Sequence, residues 1–175
     1  MSCENSLEAF LGQCGAVKAG LKDHFIIAYD DLAILSGSTE PYATSVNGVI
    51  NAIGLASGKK FVKIKNTRGT GQFTDTGATA ENGVETITHE YTLSIDSFSA
   101  ENKKFAESLS GRELVLLTKL KSGKYAALGI DGGLYLSGSV LTVNGTDNSR
   151  ALTFTGEAVN FVPEIDATII ASLIA

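Results

Sequence analysis

Between residues 84 and 96 apolar and polar side chains alternate: Ile87, His89, Tyr91, Leu93 and Ile95 share one face, Thr86, Thr88, Glu90, Thr92 and Ser94 the other. A period of two marks a strand with one packed face, and this is the clearest strand in the chain. Residues 22–29 carry Phe25, Ile26 and Ile27 ahead of Asp30 and Asp31, which predicts a strand ending in a turn, with residues 32–35 expected to pair with it. Residues 36–58 mix Ser, Gly, Thr and Pro41 with Val46, Val49, Ile50 and Ile53, the pattern of an inserted loop holding one short strand. Residues 60–65 read as a strand, with Phe61, Val62 and Ile64 set among Lys60, Lys63 and Lys65. Residues 66–83 are rich in Gly and Thr, and Phe73 is their only large apolar side chain, so a second inserted loop with little to bury is expected there.

One helix is predicted after residue 99. Ser99 can cap its first turn with Asn102 three residues on, Phe105 and Leu109 share a face, and Gly111 ends it. Residues 113–119, with Leu114, Val115, Leu116 and Leu117 in a row, read as a strand buried on both faces. A turn at Ser122-Gly123 and a return strand over 125–130 follow, and Asp131-Gly132-Gly133 turns the chain again. Over 134–141, Leu134, Leu136 and Val140 alternate with Tyr135, Ser137 and Ser139. A turn at Asn144-Gly145 then leads to a strand over 150–158, with Leu152 and Phe154 opposite Thr153 and Thr155. Gly12, Gly15 and Gly20 interrupt the N-terminal segment, residues 1–21, which supports a short helix at most. The apolar residues 167–175 are about half of what a membrane-spanning helix needs and read as a strand or docking arm. The sum is a mainly β fold, an antiparallel sandwich or barrel with one flanking helix, in a single domain spanning 1–175.

Composition narrows the function. Apolar residues are 43% and charged residues 19% of 175, an ordinary globular balance. The net charge of −5 gives no footprint for gripping phosphates, so stable nucleic-acid binding is disfavoured. Cys3 and Cys14 belong to no CxxC pair and have no His at zinc spacing; each reads as a small hydrophobe, with a disulfide between them as the alternative. The N-terminus has an early Glu4 and no basic residue before its apolar stretch, unlike a secretory signal, so synthesis and retention in a cytoplasm are expected.

Catalytic patterns are not found. There is no G-x-S-x-G elbow, and His24 and His89 are the only imidazoles. His89 on the packed face of its strand reads as a core histidine. His24 beside Asp23 lies across a strand from Asp30 and Asp31, which argues against a shared metal site. Gly69-Thr70-Gly71 lacks the G-K-[ST] of a phosphate loop and reads as a hairpin tip. Lys59, Lys60, Lys63 and Lys65, followed by Arg68, read as a charged edge strand or as a patch complementary to an acidic neighbouring copy. No catalytic residue, metal or cofactor is therefore assigned, and no enzyme is expected.

The order of elements from residue 91 to 165 resembles that of phage major tail and tail-tube proteins, particularly those of phages with Bacteroidetes hosts. It runs from YTLSIDSF through a short helix ending in Leu109-Ser110-Gly111, a Gly123-Lys124 hairpin and an LG…GLYLSG pair to LTFTG. The stretch around KDHFIIAYDDL looks like the opening of the same proteins, whereas residues 36–58 do not follow the pattern. The resemblance implies a β-sandwich assembled in a phage virion, in the host cytoplasm, as stacked hexameric rings whose inner strands join into a barrel that conducts DNA without sequence-specific binding. It implies homo-oligomeric partners, other tail proteins and no membrane. On it, Arg68, Gly69, Thr70, Gln72, Phe73 and Asp75 are expected in a loop that stacks rings. Lys60, Lys63, Lys65, Thr86, Thr88, Glu90 and Thr92 are expected on lumen or inter-subunit strands. A tail terminator, a head-tail connector or another ring-forming virion protein is the alternative, and a carbohydrate-binding β-sandwich module the next.

Overall fold

The computed structural model describes residues 20–65, 70–79, 83, 85–96 and 98–175; the readings placed on Cys3, Cys14, Arg68, Gly69 and the N-terminal helix lie outside them. The strands are β1 (Leu21–Ala28), β2 (Tyr42–Thr44), β3 (Ile50–Ile53), β4 (Val62–Ile64), β5 (Gln72–Thr79), β6 (Glu85–Asp96), β7 (Leu114–Leu120), β8 (Tyr125–Leu128), β9 (Tyr135–Val143), β10 (Asn148–Ala158) and β11 (Glu164–Ile165). Among the described residues two α-helices accompany them, α1 (Ala100–Leu109) and α2 (Ala167–Leu173). One sheet runs β2-β3-β11-β8-β7-β1-β4 and the other β5-β6-β10-β9. All pairings are antiparallel except the parallel β11–β3 contact and the bridge from Phe61 to Ile174. The mainly β expectation holds at this level.

The strict alternation of β6 is realised as predicted: Ile87, His89, Tyr91, Leu93 and Ile95 are buried and the residues between them face outward. Tyr91, Leu93 and Ile95 join Leu152 and Phe154 of β10, and Ile26, Leu114, Leu116 and Leu128 from the larger sheet, in one core closed at an end by Ala106 and Leu109 of α1. β7 is buried on both faces because its other side chains, Val115 and Leu117, enter a second core. That core is formed by Phe25, Ile27, Ile50, Phe61 and Ile165 together with Ile170 and Leu173 of α2.

Ser99 caps α1 as expected, its Oγ accepting from the Asn102 amide at 3.1 Å, and Gly111 turns the chain away at φ 72°. Ser99→Ala is expected to cost about 1 kcal/mol, the usual value of an N-cap, read as a shift in the urea midpoint at constant slope.

Five expectations need correction. Residues 167–175 are not a strand: Asp166 caps α2 by accepting from the Thr168 amide at 2.8 Å, and only Ile174 pairs, with Phe61. The flanking helix is thus one of two α-helices among the described residues. Residues 32–35 do not pair with β1; Leu32 bridges Leu55. Residues 36–58 hold two strands, because β2 hydrogen-bonds to β3 across the turn at Gly48. Residues 66–83 contain β5, paired with β6 from Gln72–Thr92 to Thr79–Glu85. Along β9 the alternation breaks at a bulge, where Thr153 faces Gly138 and Phe154 faces Leu136, leaving Ser137 out of register. Val140 is thereby turned outward and is 63% exposed.

Candidate functional site

The two sheets treat their edges differently. The larger sheet ends in three-residue strands, β2 and β4, and β4 is framed by Lys60, Lys63 and Lys65. Short, lysine-rich edges are the usual protection against pairing with another chain, so the charged-edge reading of this patch stands. Lys63 is held by Asp23 at 2.6 Å and Lys59 by Asp31 at 3.0 Å. The smaller sheet ends in β5, eight residues, and β9, nine residues, and neither QFTDTGAT nor YLSGSVLTV contains a Lys, Arg or Pro. β9 also exposes Tyr135, Val140 and Val143. Two long, half-satisfied edges without Lys, Arg or Pro on one small sheet are templates for strand addition.

The outward face of that sheet is a field of hydroxyls. The register sets Gln72, Thr74 and Thr76 beside Thr92, Glu90 and Thr88, and these in turn beside Thr153, Thr155 and Glu157. Thr86 and Tyr135 continue the field at the far end of the sheet, and a hollow of ≈ 510 Å³ sits among Thr88, Gly132, Tyr135, Thr155, Gly156 and Glu157. Among the described residues its charges are Glu90, Asp96 and Glu157, with no Lys or Arg. The Tyr135 hydroxyl donates to the Glu113 carboxylate, which raises the phenol above its ordinary range.

The predicted site residues therefore separate. Thr86, Thr88, Glu90 and Thr92 do share one face, as alternation requires, and Gln72 joins them. Lys60, Lys63 and Lys65 do not: Lys63 lies in β4 and the other two beside it, and β4 belongs to the other sheet, so β4 and β6 do not share a sheet. Phe73 points inward against the shared core, and Asp75 accepts from the Val162 amide at 3.0 Å. Thr70 exchanges hydrogen bonds with the Ser94 backbone, and Gly71 lies against the His24 ring. Thr70 and Gly71 thus lead into β5 where the chain has crossed from the sheet of β4 to the other sheet, not at a hairpin tip. β9 went unassigned, although its lack of charge was readable in sequence.

Both histidines are buried. His24 pairs with the Tyr91 hydroxyl through Nδ1, beside Thr118. His89 places Nε2 at 3.0 Å from the Asn160 carbonyl oxygen, so that nitrogen carries the proton, and Nδ1 has no partner among the described residues. Protonating His89 would bury an N–H without an acceptor. Burial lowers the pKa of both rings below the ordinary 6.5; Asp23 opposes this for His24, and the Asn160 carbonyl and then Asp75 oppose it for His89. The unfolded chain therefore takes up protons first as pH falls through about 6.5, so stability is full above that value and declines below it. Urea titrations at pH 7.5 and 5.5 should show a lower midpoint at 5.5, and His89→Gln should flatten the difference.

Among the described residues no three His, Cys, Asp or Glu side chains gather as a metal site, and no helix is long and apolar enough to cross a membrane. No protein-family model, no curated protein and no solved structure matches this chain.

Proposed function

We propose that this chain is a non-enzymatic, self-assembling structural subunit of a phage tail tube, closing its smaller sheet with the same sheet of identical neighbours in a ring. The supporting observation is the contrast in edges: three-residue edges on one sheet, one of them set among lysines, and long edges without Lys, Arg or Pro on the other. Adding β9 of one copy to β5 of the next removes both open edges at once, and a head-to-tail contact of this kind closes when its rotation divides a circle. Six copies of a four-stranded sheet would give a barrel of about 24 strands; at about 4.8 Å spacing and about 40° tilt its diameter is about 50 Å, wide enough for a double helix. With the threonine face inward, Glu90, Asp96 and Glu157 line a surface that repels phosphates while its hydroxyls stay wet, which suits passage rather than retention of DNA.

In this reading β5 is the joining edge, so ring stacking falls to other parts of the surface, and the location is the virion after assembly in the host cytoplasm. Negative-stain electron microscopy of the purified protein is the test: rings or tubes with a central hole are expected, and strictly monomeric particles at high concentration would refute it. A terminator or connector ring shares this geometry and separates by copy number per virion. The carbohydrate-binding reading draws on the hollow beside Tyr135 and separates by whether glycans bind to a chain that stays monomeric.

A further inference from the structure

A groove of ≈ 310 Å³ runs between β4 and α1, floored by Ile26, Val62, Phe105 and Leu109 and flanked by the cations Lys60 and Arg112. It continues along Val62 and Phe105 toward Lys65. Val62 is 55% exposed although it sits on the sheet face that elsewhere packs the core. Asp31 also borders the groove, but it is engaged by Lys59; Lys60 and Arg112 have no ion-pair partner among the described residues. An apolar trough flanked by two unneutralised cations suits an occupant that is both apolar and acidic.

The chain itself carries such an occupant. We propose that the groove receives the chain's own N-terminal segment, residues 4–11, which reads ENSLEAFL and supplies Glu4 and Glu8 with Leu7, Phe10 and Leu11. Reach permits it. Gly20 is fixed beside Lys121, whose amide donates to the Gly20 carbonyl at 2.9 Å, and the groove opens near Ala28 at the other end of β1. Eight strand residues cover about 26 Å, and residues 12–19 fully extended span about 28 Å, enough to bring Leu11 to the groove. The carboxylates then meet Lys60 and Arg112 while the apolar side chains cover Val62 and Phe105. This docking is intramolecular and stands apart from the tube reading, because it requires one copy only.

The native cysteines flank residues 4–11 and serve as probes in the full chain. Val62→Cys, oxidised mildly in dilute solution, is expected to form an intramolecular disulfide with Cys3 or Cys14 at least roughly tenfold faster than Val140→Cys, a comparably exposed position on the outer face of the smaller sheet, because a tethered partner has a high effective concentration. Adding Lys60→Glu and Arg112→Glu should remove that advantage, and Glu4→Lys with Glu8→Lys on top should restore it. Equal rates at the two positions, disulfides joining separate chains only, or an advantage that survives charge reversal would each overturn the assignment. None of these results depends on whether rings form, so the two proposals fail separately.

Discussion

Gly156→Ala is expected to destabilise the chain by about 3 kcal/mol, a large fraction of the 5–15 kcal/mol that holds a typical domain. Gly156 sits in β10 opposite His89, where a Cβ would lie 2.3 Å from the Gly133 carbonyl oxygen and 3.0 Å from Leu134 Cδ2. Neither neighbour can retreat cheaply. The backbone of Leu134 is tied to Leu114 by two hydrogen bonds of 2.8 and 2.9 Å, and Leu114 and Leu134 are both buried in the core between the sheets. Relief would have to come from shifting β10 as a whole, which also carries Leu152 and Phe154. Gly145→Ala is the control, since nothing lies within 4 Å of its added Cβ. Urea denaturation should give a much lower midpoint for Gly156→Ala and an almost unchanged one for Gly145→Ala, at equal slopes.

Val140→Asp combined with Val143→Asp is expected to abolish assembly while leaving the monomer folded. Both valines are exposed, 63% and 60%, on the open edge strand β9, so the substitutions should change stability by at most about 1 kcal/mol. Their effect on association is larger. Two carboxylates on a joining edge would lose their water on contact, and the one at position 140 would stand beside the acidic outer face of the same sheet. Sedimentation velocity should show association weakened by at least about 100-fold, equivalent to about 2.7 kcal/mol. An assembly that tolerated both aspartates would place the joint elsewhere.

The contrast between these sites shows what the sequence exposes. β6 and β7 were readable because their periodicity reports burial directly, on one face for Ile87 to Ile95 and on both for Leu114 to Leu117. α1 was readable from its Ser99 cap. β5 was not, because an edge strand exposed along most of its length leaves no apolar alternation and reads as a polar loop. α2 was hidden for the opposite reason: Ile169 and Ile170 favour strands locally, but the Asp166 cap and the burial of Ile170 and Leu173 against the second core outweigh that preference. The bulge at Ser137 depends on pairing with β10 and has no local signal, so the face of Val140 was misassigned. His24 was weighed only against its neighbouring aspartates, yet its partner Tyr91 lies 67 positions away in the other sheet. The outward face of β6 was legible residue by residue. Its continuation through Gln72, Thr153 and Thr155 required the pairing, and the lysines around β4 were misplaced because sequence adjacency does not say which sheet a strand joins.

Amide hydrogen exchange on dilute and concentrated protein, resolved along β5 and β9, tests the central claim most directly. If copies join through these edges, the amides of β5 and β9 that point away from β6 and β10 exchange quickly when dilute and become protected in the assembled particle, while β2 and β4 stay as they were. Particles whose β5 and β9 edges remain as fast to exchange as in the monomer would contradict it.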